Sequence, residues 1–224
     1  MVTTLAGLAG QPGSTDGPGA KARFRNPWGV AVDRAGNVFV ADMSNDTIRK
    51  ITPAGVVTTV AGQTGISGSA DGTGTSAQFN HPFDVAVDND GNVYVSDSAN
   101  NAIRKISSAG AVSTLAGVPS SAGSADGNVA DARFSNPQGL AIDGAGNVFV
   151  ADTGNHAVRK ITPLGQVTTL AGLAGASGST DGVGSATRLN DPTGVAVDSA
   201  GSLFVADNNN HTVRKIVSTA AARP

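Results

Sequence analysis

The feature that most constrains the fold of this chain is a pattern that recurs every 55 residues along its 224 residues. Four copies follow one another without a slip in register, and repeats of this kind are typical of arrays built from one supersecondary unit. No linker interrupts the copies, so the sequence predicts a single array over residues 1–224. The positions shared by all copies are Pro27, Pro82, Pro137 and Pro192; Asp33, Asp88, Asp143 and Asp198; Asp42, Asp97, Asp152 and Asp207; and Arg49, Arg104, Arg159 and Arg214.

Each copy has the pattern of four short strands separated by turns. The first copy reads GVAVD at 29–33, VFVAD at 38–42, TIRKI at 47–51 and VVTTVAG at 56–62. The β-branched residues favour extended backbone, and the Gly-Asn and Pro-Ala-Gly segments between the runs favour tight turns. The sequence therefore predicts sheets at about residues 27–62, 82–117, 137–172 and 192–216.

The segment NPWGVAVDRAGNVFVADMSNDTIRKITPAGVVTTVAG, at residues 26–62, closely resembles the NHL repeat. The third and fourth copies also contain the family's Asn-His pair, in ADTGNHAVRKI and ADNNNHTVRKI. The resemblance covers essentially the whole chain. It implies an all-β fold, a β-propeller built from four NHL-type four-stranded blades of 55 residues. It implies no single activity, because propellers support many functions.

The opening VTTLAG, Val2–Gly7, is identical to Val167–Gly172 at the end of the third copy. The fourth copy lacks this strand, since Ile216 is followed by VSTAAARP. Propellers that this chain resembles close by pairing an N-terminal strand with the last blade, which covers an edge that would otherwise expose backbone groups. We therefore expect residues 2–7 to be the closing outer strand, which completes the blade at 192–216.

Two closed assemblies fit this expectation. Val2–Gly7 pairs within its own chain to give a four-bladed monomeric ring, or completes the blade of a second chain to give an eight-bladed homodimer. A four-bladed ring needs bulky residues in its outer part, and only 4% of the residues are aromatic. The segments between blades could supply them, and both assemblies stay open. The residues available for this filling are Phe24, Phe79, Phe134 and Leu189.

Composition disfavours several classes of partner and site. The formal net charge is −2 and charged residues make up 14%, so we expect neither nucleic acid nor membrane as a partner. Cysteine is absent, which excludes disulfides and thiolate metal sites, and we expect no cofactor. No secretory signal or membrane-spanning run is recognisable. The compartment is undetermined; the parent protein could be bacterial and secreted, and the chain a fragment or an engineered propeller.

The connections between blades contain about 20 residues, which exceeds common loop lengths and indicates a functional segment or a packed cap. Each contains Ser-Thr-Asp-Gly or Ser-Ala-Asp-Gly. Four carboxylates at equivalent positions could bind a cation or a polar ligand. The preferred interpretation is an Asp-Gly turn whose side chain accepts from nearby backbone N–H groups. The weak ligand or cation candidates are Asp16, Asp71, Asp126 and Asp181.

A second set combines the aspartate that ends the second strand with an arginine of the third. Arg49 shares a strand face with Ile51, so it is expected between blades, where a guanidinium needs a carboxylate or carbonyl partner. Asp42, or its copy on a neighbouring blade, is the expected partner. Because this arrangement recurs four times, we interpret it as architecture. The structural repeat positions are Asp42, Arg49, Asp97, Arg104, Asp152, Arg159, Asp207 and Arg214.

The histidines His81, His156 and His211 are interpreted as solvated turn residues, since zinc needs three or four converging ligands. We therefore expect a non-enzymatic scaffold or binding module that holds a protein, peptide or glycan on its loop-rich face. The alternative implied by the resemblance is a lyase or hydrolase with a metal site at the central channel. Of the inner-strand residues only Asp84, where the other copies have glycine, breaks the repeat. RNA binding is disfavoured by the charge and by the single Trp and Tyr.

Overall fold

The computed structural model describes residues 1–217. The chain divides into two compact units, Met1–Leu115 and Ala116–Pro224. The segment VSTAAARP, where the sequence lacks the expected strand, lies outside the described residues from position 218 onward. The regular structure of the described residues consists of β-strands and one-turn 3-10 helices. This part of the chain contains no helix with the length and apolarity that crossing a membrane requires.

The first unit contains two five-stranded antiparallel sheets. The strands of its first sheet are β1 (Gly17–Pro18), β2 (Pro27–Val32), β3 (Val38–Asp42), β4 (Thr47–Ile51) and β5 (Val56–Ala61). Those of its second sheet are β6 (Gly72–Thr73), β7 (Pro82–Val87), β8 (Val93–Asp97), β9 (Ala102–Ile106) and β10 (Ala111–Ala116). The orders are β1-β5-β4-β3-β2 and β6-β10-β9-β8-β7. In each sheet four consecutive strands pair in sequence order, as predicted for a propeller blade.

The second unit repeats this plan once in full and once in part. Its first sheet, ordered β11-β15-β14-β13-β12, consists of β11 (Gly127–Asn128), β12 (Pro137–Ile142), β13 (Val148–Asp152), β14 (Ala157–Ile161) and β15 (Gln166–Gly172). Its second sheet, ordered β16-β17-β18, has three strands: β16 (Pro192–Val197), β17 (Leu203–Asp207) and β18 (Thr212–Ile216).

The short extra strand in three of the sheets was not predicted. It belongs to the long loop before each sheet and pairs with the outer strand, with Gly17 opposite Val57 and Pro18 opposite Val56 in the first sheet. The 3-10 helices lie in these loops and in the turn after each second strand, at Gly19–Lys21, Met43–Asn45, Gly74–Ser76, Ser98–Asn100, Thr153–Asn155 and Asn208–Asn210.

The core consists mainly of Val, Ile, Leu and Ala because the second strand of each sheet is largely apolar on both faces. In the first unit, Phe39, Ile48 and Val85 belong to one buried cluster that spans both of its sheets. Burial of each such side chain contributes about 1.5–3 kcal/mol. The residues expected as filling between blades take part in this packing: Phe24 is half-buried, and Phe79, Phe134 and Leu189 are at most 1% exposed.

The closing strand predicted at Val2–Gly7 does not take part in the sheets that residues 1–217 form. These residues have no regular secondary structure, Val2 is fully exposed, and the fourth sheet ends at β18. Gly7 donates its N–H to the carbonyl oxygen of Gly19 at 3.1 Å. This bond holds the segment beside the loop of the first sheet.

The packing of the second sheet can be tested through the pKa of Tyr94, the single tyrosine. Burial and a hydrogen bond from its hydroxyl to Asp88, at 3.0 Å, raise the pKa of Tyr94 to about 12, from an ordinary value of 10.0. Since the pKa is raised in the folded state, the stability this group contributes is present below pH 10 and is lost as the pH rises toward 12.

We expect a tyrosinate absorbance titration of the folded chain to show this late ionisation. Asp88→Asn removes the neighbouring negative charge, so it should move the midpoint toward the ordinary value. A midpoint near that value in the unaltered, still folded chain would contradict the packing described for Tyr94.

Candidate functional site

A buried arginine joins each long loop to the sheet that follows it. In the first sheet Arg49 donates through Nη1 to Asp42 at 2.7 Å and through Nη2 to Asp16 at 2.5 Å. The same guanidinium donates to the carbonyl oxygens of Arg23 and Thr15, at 3.0 and 3.1 Å. The partner of Arg49 is thus the aspartate of its own sheet, and the loop packs as a cap.

The other three sheets contain the same network. In the first three sheets a loop phenylalanine also lies against the guanidinium, with its ring centre 5.1–5.3 Å from the arginine Cζ. The ion pairs, at N–O distances of 2.6–2.9 Å, join Arg104 to Asp97 and Asp71, Arg159 to Asp152 and Asp126, and Arg214 to Asp207 and Asp181.

The inner carboxylate of each network is buried and has several donors around it. Asp97 accepts from the backbone N–H of Asn80 at 2.7 Å, from the Asn100 side chain at 2.8 Å and from Arg104 at 2.9 Å. Burial raises the pKa of Asp97 and of Asp152 to about 6, and these hydrogen bonds oppose that effect. A carboxylate so enclosed holds the sheet and its loop together and offers no face to a substrate.

The loop aspartates, predicted as weak ligand or cation candidates, have the same structural role. Each is paired with the arginine of its own sheet, a partner that the sequence did not indicate. The expected bond to backbone N–H is present as well: Thr59 donates to Asp16 at 2.9 Å and Thr169 to Asp126 at 3.0 Å. Among residues 1–217 no group of three or more His, Cys, Asp or Glu side chains could hold a metal ion.

The histidine interpretation needs a correction at His156. Its Nδ1 accepts a hydrogen bond from the backbone N–H of Asp191 at 3.1 Å, so it joins the turn after β13 to the start of β16. Asp46, at the equivalent turn of the first sheet, accepts in the same way from the N–H of His81 at 2.9 Å. The residue at this turn therefore connects one sheet to the next, which explains why Asp and His both serve there.

Asp84, the inner-strand departure from the repeat, fills space beside the first sheet. A Cβ atom placed on Gly29 would lie 2.0 Å from Asp84 Oδ1 and 2.5 Å from Asp84 Cα, so β2 and β7 meet closely at this point. The carboxylate accepts from the backbone N–H of Val85 at 2.8 Å, and Ser96 Oγ accepts from the N–H of Asp84 at 2.9 Å. These contacts are those of a half-buried packing residue.

Next to this contact lies an aromatic pair that the sequence reasoning missed. Trp28 and Phe83 stack with ring centroids 4.6 Å apart and an interplanar angle of 29°. Trp28 is 56% exposed, although a large aromatic side chain gains most from burial. The equivalent positions in the second unit are Gln138 and Thr193. The pair is therefore particular to the first unit and forms an accessible apolar platform.

The signal for this platform was present in the sequence. The position after each repeat proline reads Trp, Phe, Gln and Thr, while the proline itself is the same in all four copies. A position that varies within an otherwise uniform repeat is one that the architecture does not fix. Trp28, Phe83 and Asp84 thus form a group of neighbouring positions at which the first two copies differ from the last two.

The repeats of this chain match a known protein family. A family model described as the NHL repeat matches residues 24–51, 79–106, 134–161 and 189–216. Two curated proteins are similar to parts of the chain. SUPPRESSOR OF QUENCHING 1 of Arabidopsis thaliana is 44% identical over 95 residues, which are 42% of this chain and 9% of that protein. NHL repeat-containing protein 2 of Bos taurus is 32% identical over 152 residues, which are 62% and 21% of the respective chains.

Solved structures share the fold at low identity. An auxiliary nutrient binding protein from Bacteroides ovatus superposes with a TM-score of 0.69 at 23% identity, over 88% of this chain and 49% of that one. A streptogramin B lyase superposes with a TM-score of 0.62 at 15% identity, over 88% and 53%. This chain spans only 9% and 21% of the two curated relatives and about half of either solved chain.

Proposed function

Because the chain belongs to the NHL-repeat family, with sheets that are propeller blades, we propose that it is a non-enzymatic binding module whose ligand docks on the Trp28–Phe83 pair. The observation that carries this proposal is the exposure of a stacked aromatic pair in one unit only. Tryptophan is enriched among the residues that dominate binding energies, because it presents a large rigid surface and a single N–H donor.

The arrangement of the ionisable groups supports a binding module over an enzyme. The buried carboxylates and arginines form equivalent ion pairs in all four sheets, whereas catalysis depends on groups that converge at one place. The alternative, a lyase or hydrolase with a channel-centred metal, relied on Asp84. Its carboxylate accepts from the backbone and packs beside Gly29, so it acts as part of the sheet contact.

A glycan is the ligand class that fits this platform best. One face of a sugar ring carries C–H groups, which stack on an aromatic ring, and its rim carries hydroxyl groups, which need polar partners. Asn26 lies two residues before Trp28, and we propose its side chain as a polar partner for the hydroxyl groups. Asn26 donates its side-chain N–H to Ser44 at 3.0 Å, so its amide is held in place.

Trp28→Ala is expected to weaken glycan binding at least 30-fold, the equivalent of about 2 kcal/mol for a central aromatic contact. The ligand is first identified on a glycan array with the unaltered chain, and affinities are then measured by calorimetry. The single tryptophan gives a second readout, because its fluorescence should change on binding. Leu164→Ala is the control, since Leu164 is 96% exposed in a turn of the second unit.

Equal affinity of the Trp28→Ala and Leu164→Ala variants would place the binding site elsewhere. Binding of an extended peptide, but of no glycan, with the same loss in Trp28→Ala would retain the site and overturn the ligand class.

A further inference from the structure

We infer that two copies of this chain complete each other: Val2–Gly7 of one copy pairs along β18 of the second copy, whose fourth sheet packs on the first sheet of its partner. The inference does not depend on the ligand proposed above. It rests on four features of the described residues: an open sheet edge, a large cavity beside it, an unpaired strand sequence and two exposed apolar faces.

The open edge is defined by comparison with the complete sheets. The strands β4, β9 and β14, equivalent to β18, each have an outer strand beside them. In the third sheet Ile161 pairs with Val167, Lys160 with Thr168 and Arg159 with Thr169. Residues 167–172 and 2–7 have the same sequence, VTTLAG. The same register on β18 therefore places Val2 opposite Ile216 and Thr3 opposite Lys215.

The cavity beside the outer edge of β18 is much larger than the equivalent cavity in the first unit. In the first unit, the space between its two sheets is a cavity of about 90 Å³ lined by Lys50, Val93 and the turn before β10. The equivalent space in the second unit, lined by Lys160, Leu203 and β18, measures about 1020 Å³. The turn and outer strand that border the smaller cavity on the second sheet have no counterpart among the described residues of the fourth sheet.

The segment Val2–Gly7 leaves its loop with the geometry of an outer strand, but no sheet lies along it. Gly7 has φ +96° and donates its N–H to Gly19, as Gly172, with φ +98°, donates to Gly184. Leu5 is 51% exposed. Among residues 1–217, the sheets as paired include neither Val2–Gly7 nor a strand at the outer edge of β18.

Two exposed apolar faces identify the occupant as a second copy. Val30 on β2 is 61% exposed, whereas its equivalent Val85 is 3% exposed because it packs on the first sheet. On the fourth sheet, Val213 is 77% exposed, whereas its equivalents Ile48 and Val158 are buried. These are the two faces that meet wherever consecutive sheets pack within a unit. In the proposed pair a second copy supplies the matching face for each, through two equivalent contacts related by a two-fold axis.

Cross-linking tests the register and the partner together. The chain has no cysteine, so Thr3→Cys with Lys215→Cys introduces its only two thiols, at residues that would face each other on adjacent strands. We expect a covalent species of twice 22.0 kDa on a non-reducing gel, and the same doubled mass for the unaltered chain in solution. The matched control is Lys160→Cys with Thr168→Cys, which should form its disulfide within one chain.

A cross-link confined to the 22.0 kDa species, a 22.0 kDa mass in solution, or an open series of larger assemblies would each overturn the inference. A second variant probes the packed faces. A Cβ on Gly194 would meet only Ala206 of its own sheet, at 3.5 Å. Gly194→Leu should therefore leave the circular dichroism spectrum unchanged and halve the mass in solution. An unaltered doubled mass in this variant would contradict the proposed contact between the fourth and first sheets.

Discussion

Replacing Asp97 by alanine is expected to destabilise the chain by about 3–5 kcal/mol, because it leaves the buried Arg104 guanidinium without its inner anion. The arginine side chain and the Asp97 side chain are both 0% exposed, so water cannot replace the lost partner. The same change also removes the acceptor of the Asn80 N–H and of the Asn100 side chain. Equilibrium unfolding in urea measures the effect.

The control for this prediction uses the other partner of the same arginine. The Asp71 side chain is 52% exposed, and solvent screens its ion pair with Arg104, so Asp71→Ala should cost at most about 1 kcal/mol. Replacing Asp97 and Arg104 together by Leu and Met should recover part of the stability lost in Asp97→Ala, since no charge is then buried alone. Equal effects of Asp97→Ala and Asp71→Ala would show that the inner pair does not hold the sheet.

Gly139→Ala is expected to destabilise the second unit by about 1–3 kcal/mol, the usual range for overfilling a packed contact. Its Cβ would lie 2.5 Å from the carbonyl oxygen of Thr193 and 2.8 Å from Gly194 Cα. Both atoms belong to the backbone of β16, so relief requires a shift of that whole strand away from β12. Glycine is needed here for close approach of two strands.

Gly144→Ala is the matched control because nothing lies within 4 Å of the Cβ it would add, in the turn after β12. Its effect on stability should stay within about 0.5 kcal/mol. Thermal unfolding of the two variants gives the comparison. A midpoint for Gly139→Ala as high as that of Gly144→Ala would mean that β12 and β16 lie further apart than described.

The strands could be predicted from the sequence because the repeat and the local residue pattern indicate the same boundaries. The 55-residue repeat delimits the sheets, and short β-branched runs between Gly-rich turns delimit strands, so 38–42 and 47–51 match β3 and β4. The pairing of Asp42 with Arg49 followed from chemistry, since a guanidinium on a buried strand face requires an anion.

Three features could not be predicted from the sequence, because the repeat shows which residues recur but not which of them are in contact. Asp16 and Arg49 recur with the same spacing as every other pair, so their ion pair leaves no separate signal. Gly17–Pro18 forms a strand only because β5 presents an edge to it, and neither residue favours extended pairing. The Trp28–Phe83 pair lies at a position where the copies differ, so the repeat pattern does not predict it.

The arginine network also indicates which segment of the sequence forms one complete repeat. Arg49 takes its ligands from Arg23, Thr15 and Asp16 on the loop before its sheet, so residues 8–62 contain a complete set of contacts. A segment cut at the proline, 27–81, has the arginine but none of those loop partners. Gene duplication that copied loop and sheet together would add a module that already contains its own cap. Copying the sheet alone would leave a buried cation with one of its four partners, Asp42.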